Sequence, residues 1–270
     1  MIIDEIREIA MDENVAVWGI GPASEMADEL PGHRPEDLLP DAQSLICFGI
    51  PVPSRVYQMP NYMLETIWRS QNLNYRRLDT LSMRFAALLE ESGAQAVPIY
   101  GCLPMGVNNK GEMERPKAFL KQITKQFAVV GYLNQIRMGE VTGIGVIGKN
   151  GLLLHSQYGS RLMLGGVLTT ARLPEMHYPE IEEPGCPPDC RICVDACPVN
   201  AISGEEKRVQ IMRCLGYTSR TPLLPKFRFW VLSKFRPEAA ARLMNLTAFD
   251  EHTFHICSRC VALCPYGRTN

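Results

Sequence analysis

The sequence contains no uninterrupted apolar run of about 18 residues or more, which excludes a membrane-spanning helix. It also has almost no net charge. Twenty-eight Lys and Arg residues against 29 Asp and Glu leave −1 at pH 7. There is therefore no global basic field of the kind that drives nucleic-acid binding, and nucleic acid is not the expected partner, although local patches remain open. The opening stretch, MIIDEIREIAMDENV, lacks the basic start and unbroken apolar core of a secretory signal, because Asp4, Glu5 and Glu8 interrupt it. No twin-arginine leader is visible, and the expectation is a cytoplasmic protein. Internal repeats are missing apart from one cysteine motif. What is present is a 46% hydrophobic composition over 270 residues, enough for one large domain and one small one.

Ten cysteines are many for such a chain. In a reducing compartment disulfides do not persist, so clustered cysteines read as metal ligands or redox groups. Eight lie between Cys186 and Cys264. Cys47 in SLICFGIPV and Cys102 in IYGCLP stand alone in apolar surroundings, and Cys47 reads as a small core residue.

Along the chain, Ile2, Ile6, Ile9 and Ala10 recur at helical spacing, and VAVWGIG (15–21) follows as a buried strand. SLICFGIPV (44–52) and AQAVPIY (94–100) are further strands. Between them a helix carries Leu78, Leu81, Phe85, Leu88 and Leu89 and stops at Gly93. Strands alternating with helices imply a layered α/β or α+β domain over residues 1–180. From residue 142 seven glycines punctuate short apolar runs, where backbone can turn tightly or approach a ligand. A proline-rich acidic linker then places a boundary near 181, and residues 181–270 form the second domain. Within it, residues 222–250 are an aromatic and basic insert, read as a helical flap, with a membrane-surface or partner-docking face as the alternative.

Two-cluster bacterial ferredoxins repeat C-x2-C-x2-C-x3-C-P, and each cluster takes three cysteines from one run and the last from the other. Here the first run is Cys186-x3-Cys190-x2-Cys193-x3-Cys197-Pro198. The second is Cys257-x2-Cys260-x3-Cys264-Pro265, with Phe254 where a leading cysteine would stand. Cys214 supplies the missing ligand. Crossing the runs gives one 4Fe-4S cluster on Cys186, Cys190, Cys193 and Cys264 and a second on Cys197, Cys214, Cys257 and Cys260. Thiolates are the soft anionic donors such clusters need. Structural zinc is the alternative, disfavoured by the proline after each run. A ferredoxin or flavodoxin would be the natural electron donor.

Several stretches resemble the epoxyqueuosine reductases and their relatives, the reductive dehalogenases: VWGIGPA (17–23), RPEDLLPDAQSLICFGIPVP (34–53), GIGVIGKNGLLLHSQYGSRLMLGGVLTT (143–170) and CRICVDACPVNAI (190–202), with RCLGYTS and CSRCVALCP in order behind them. The resemblance implies a nitroreductase-like layered domain that binds cobalamin base-off, followed by a ferredoxin-like domain with two 4Fe-4S clusters. In that picture Gly145, Gly148, Lys149 and Asn150 approach the corrin, Tyr158 and Gly159 lie on the following turn, and Tyr217 and Thr218 sit with Cys214 between cluster and corrin. The acid expected of an epoxyqueuosine reductase falls on Val129, which cannot transfer a proton, and Tyr132 is the candidate replacement. A helical-repeat extension used for tRNA is missing after the last run, so a small organic substrate is expected. Two alternatives remain: a non-catalytic electron-transfer or corrinoid-handling protein, and a reductase carrying FMN.

Overall fold

The computed structural model describes residues 2–29, 32–59, 65–100, 133–178, 185–204, 209–210, 213–214, 217, 219–220, 227, 230–232, 234–236, 254–255 and 257–266. The expected boundary near 181 lies outside these residues.

Helix α1 (Ile2–Asp12) turns Ile6 and Ala10 inward, one helical turn apart, and keeps Asp4 and Glu5 in its first turn, where acids suit the dipole. Strands β1 (Val17–Pro22) and β2 (Ser44–Pro51) are buried almost end to end. The short helix α2 (Pro35–Leu38) lies between them and the long helix α3 (Glu65–Glu91) follows. Next come β3 (Ala96–Ile99), helix α4 (Gln135–Val141), a small hairpin of β4 (Val146–Ile147) and β5 (Leu153–Leu154), then β6 (Leu162–Thr169) and β7 (Met176–Tyr178). The five longer strands form one sheet in the order β3-β6-β2-β1-β7. Every pairing in it is antiparallel.

That arrangement makes the unit α+β and corrects the α/β alternative. The physical reason is that continuous apolar runs report burial on both faces, and they look the same in a parallel sheet as in an antiparallel one covered twice. Here the sheet is covered twice. Trp18, Ile20, Ile46, Phe48, Met163 and Val167 face one way and pack with Ile6, Leu78, Leu81 and Phe85 of α1 and α3. Phe48 and Phe85 meet edge to face, with centroids 5.2 Å apart. Their sequence neighbours Val17, Leu45, Cys47, Leu164 and Leu168 face the opposite way, against Leu133, Met138, Ile144 and Leu153.

Close contact fixes the second layer. A β-carbon on Gly19 of β1 would stand 2.1 Å from the Thr142 carbonyl oxygen, so only glycine lets the end of α4 press onto the sheet. Thr142 Oγ1 donates back to the Met138 carbonyl at 2.7 Å, and Asn134 caps the start of α4 by accepting the Arg137 amide at 3.2 Å. The β4–β5 hairpin that follows is thereby held at a defined place beside the cysteine-rich segment.

Candidate functional site

Two one-turn helices organise the cysteines. Helix α5 (Ile192–Asp195) carries Cys193, and α6 (Arg259–Ala262) carries Cys260. The two pack against each other. Pro198 and Pro265 follow Cys197 and Cys264, where a residue without an N–H can end each turn. A short ladder of β8 (Ser219–Arg220) with β9 (Phe254–His255) ties the chain after Cys214 to the chain before Cys257.

The thiols fall into two interacting sets. Burial raises the Cys193 thiol first, and the charges of Cys186, Cys190 and Cys264 raise it further. Cys264 is also raised by burial and by Cys186 and Cys190, against the pull of the Tyr266 amide and the Ser160 hydroxyl. Those four cysteines line one cavity with Lys149 and Asn150. In the second set, burial pushes Cys260 up to about 12, with Cys214, Cys257, Cys193 and Cys197 adding to it. Burial likewise lifts Cys214 to about 11, helped by Cys257 and Cys197. Buried thiolates this close repel one another, and a cationic centre among them would relieve the repulsion. The quartets are looser than a single-ion site, since no three His, Cys, Asp or Glu side chains among the described residues converge on one metal-ion position.

The hairpin contributes more to the first quartet than its sequence suggests. The Lys149 amide donates to Cys186 Sγ at 3.4 Å. Lys149 Nζ reaches the carbonyls of Pro187 at 3.1 Å, of Cys190 at 3.0 Å, and of Pro188. The ammonium thus clasps the loop that carries Cys186 and Cys190. Gly145 and Gly148 turn their open sides to Leu154: a β-carbon would meet its carbonyl oxygen at 2.3 Å from Gly145 and its Cδ1 at 2.7 Å from Gly148. These glycines serve hairpin packing. Asn150 is 3% exposed, and its Oδ1 accepts the Leu152 amide at 3.2 Å. Its Nδ2 has no partner.

The other expected residues are dispersed. Tyr158 lies against His155 with the rings tilted by 30° and centroids 5.1 Å apart, and Gly159 takes φ +58 to return its amide to the His155 carbonyl at 2.7 Å. Tyr217 is 37% exposed. Tyr132, Val129, Thr218 and Cys102 lie outside the described residues. Cys47 is fully buried and pushed up to about 12 by burial, as suits a core thiol. In the insert, Phe227 and Trp230 stack 6.1 Å apart and Lys234 Nζ sits 4.5 Å above the Trp230 ring. Phe227 is 62% exposed and Trp230 51%, and most of the insert lies outside the described residues.

Sequence reasoning gave no weight to two residues that the structure places at the site. Ser160 lies against Cys264, and Tyr57 lies beside Cys260, where burial pushes its hydroxyl to about 12. Neither stands in a motif that could have signalled it. Val261 and Ala262 of α6 pack against the core on the α1–α3 face, so the cysteine-bearing segment is seated on the sheet unit. Among the described residues no helix is long and apolar enough to cross a membrane.

The chain is similar in sequence and in fold to known proteins. No family model matches the chain. The chain is 29% identical over 138 residues to the epoxyqueuosine reductase of Lactococcus garvieae, which is 51% of this chain and 33% of that protein. It is 31% identical over 144 residues to that of Listeria monocytogenes, 53% of this chain and 32% of that one. The resemblance carried by the sequence stretches is thus borne out, and the chain spans about a third of the length of these curated relatives. Among solved structures, epoxyqueuosine reductase from Streptococcus thermophilus superposes with TM-score 0.56 at 19% identity, covering 98% of this chain and 66% of that one. A catabolic reductive dehalogenase gives 0.50 at 15% identity, covering 92% and 36%. At such identities the likeness is one of fold. An epoxyqueuosine reductase solved with an epoxyqueuosine-modified tRNA stem loop gives 0.52 at 16% identity, covering 97% and 70%. Near-zero net charge says nothing of a local binding face, so it does not by itself exclude nucleic acid as a partner.

Proposed function

We propose that this chain is an iron–sulfur redox protein of the epoxyqueuosine reductase kind, passing single electrons through two 4Fe-4S clusters toward a base-off cobalamin that reduces an organic substrate. The observation that carries the reading is the sorting of eight buried or half-buried thiols into two quartets, carried in part by two helices that pack together. Residues 181–270 then act as a ferredoxin-like module on a nitroreductase-like domain of residues 1–180. The donor sets fit clusters: each offers four soft thiolates, and backbone amides reach sulfur at Cys186 and at Cys197, where the Ala201 amide stands at 3.2 Å. Bound clusters supply one-electron chemistry. The chain's own work is to exclude water from the thiolates, to hold the Cys186–Cys190 loop through Lys149, and to bring the two sets together. A ferredoxin or flavodoxin is the donor in this scheme.

The cobalamin part draws on the relatives' names and fold. Gly145, Gly148 and Lys149 are taken up by the hairpin and the cysteine loop, so as placed they do not make a corrin cradle, and no step is assigned through one. An electron-transfer or corrinoid-handling role without turnover is the second reading, motivated by Val129 at the place of the expected acid. A substrate within a tRNA stem loop, as in the structural neighbour's complex, and a small free molecule are both open to assay. FMN in place of the corrin is the third reading.

The test is anaerobic purification, cluster reconstitution, iron and sulfide analysis, and then addition of cob(II)alamin with its cobalt EPR signal recorded. Loss of the nitrogen splitting that marks the base-on form would support the full reading. An unchanged signal over intact clusters would sink the cobalamin part and leave the electron carrier. A yellow chromophore released on denaturation would favour FMN.

A further inference from the structure

We propose that Asn150 donates an N–H···S hydrogen bond to the cluster on Cys186, Cys190, Cys193 and Cys264 and so raises that cluster's reduction potential; the inference rests on the two-cluster reading.

Asn150 is buried at 3% exposure. Its Oδ1 is committed to the Leu152 amide at 3.2 Å, which fixes the orientation of the carboxamide and leaves Nδ2 as a buried donor with no partner. An unsatisfied buried donor is costly, so a site that keeps one is expected to have a use for it. The side chain lines the same cavity as the four cysteines. Its neighbour in the turn, the Lys149 amide, is already 3.4 Å from Cys186 Sγ, which shows that this turn aims donors at sulfur.

The arrangement is one-sided. Lys149 and Asn150 come from the sheet unit and reach the first quartet, whereas the amide at Cys197 belongs to Ala201, four residues along the same loop. When a cluster gains one electron from a low-potential donor, negative charge grows on its sulfurs, and a hydrogen bond to charged sulfur strengthens. No covalent bond forms or breaks. Such donors stabilise the reduced state, which is the usual lever by which surroundings tune cluster potential. The sheet unit thereby makes the first quartet the better electron acceptor of the two.

The experiment is an EPR-monitored redox titration of the reconstituted protein against Asn150→Leu, which removes the donor without adding charge. Asn150→Ala is the second neutral substitution should leucine not fit the turn. The expected result is two reduction steps in the wild type, one of which shifts about tenfold toward the oxidised form in the variant. That is about 59 mV for a one-electron couple, with the other step and the iron content unchanged. Two steps that stay put, or that move together, would overturn the inference while leaving the clusters standing. Loss of one cluster's iron in both variants would make Asn150 a structural residue and overturn it as well. A wild type that takes up no iron or sulfide would remove the two-cluster reading, and this inference with it.

Discussion

Cys193 and Cys260 belong to different quartets, yet the Cys193 charge is among the groups that raise the Cys260 thiol. The helices that hold them, α5 and α6, pack together. This contact is where an electron would pass from one set to the other.

The quartets should be separable by mutation. Cys214→Ser is expected to remove about half of the iron and sulfide, because each cluster needs its four thiolates. Cys47→Ser should leave both clusters intact and lower stability by about 1–3 kcal/mol, since it buries a hydroxyl in an apolar layer. Iron analysis beside a urea melt checks both. Equal iron loss in the two variants would contradict the separation of core thiol from ligand.

Lys149→Met should loosen the Cys186–Cys190 loop while keeping the apolar stem of the side chain. The expected outcome is faster loss of iron to a chelator from one cluster only, together with about 1–2 kcal/mol of lost stability for the carbonyl bonds to the ammonium. A chelation time course reads this as a new fast phase covering about half of the iron. Unchanged kinetics would show that the clasp is dispensable.

Acid sensitivity should map to His155. Burial lowers its folded pKa below the ordinary 6.5, so the unfolded chain binds a proton that the folded one resists. Stability is full above 6.5 and falls as pH drops from there through the lowered folded value. His155→Gln should flatten that part of a stability-against-pH curve. A curve of unchanged slope would assign the sensitivity elsewhere.

Glu29 works in the opposite sense. Burial raises its folded pKa above the ordinary 4.5, against the Asn134 hydrogen bond and the charge of Arg137. The folded state then holds the proton more tightly, and stability declines as pH rises from 4.5 through the raised value. Glu29→Gln can keep the Asn134 contact and should raise the melting temperature at pH 7 with little change at pH 4. A lower melting temperature at pH 7 would show that the carboxylate charge is useful where it stands.

Much of the sheet unit was legible. The stretches 15–21, 44–52 and 94–100 contain or closely overlap β1, β2 and β3, and Ile2, Ile6, Ile9 and Ala10 all fall within α1, because long apolar runs and helical spacing are local signals. Strand direction was not legible, since burial on both faces erases the alternation that would mark an antiparallel sheet. The hairpin was singled out for its glycines and for Lys149 and Asn150, but spacing alone could not say what they face. Leu154 fills the space beside Gly145 and Gly148, and the Lys149 ammonium turns to three carbonyls that stand 38 to 41 residues further along the chain. Ser160 and Tyr57 owe their positions to tertiary packing and carry no sequence signal of their own.

Val261 and Ala262 seat α6 on the α1–α3 side of the sheet, one and two residues after Cys260 and three and two before Cys264. A cluster bound by these cysteines would therefore share a wall with the protein core. A cell short of iron is expected to accumulate a chain whose last helix has lost its anchor and whose apolar seat is open to water, a ready mark for proteolysis. Abundance of this protein would then follow iron supply without any dedicated sensor.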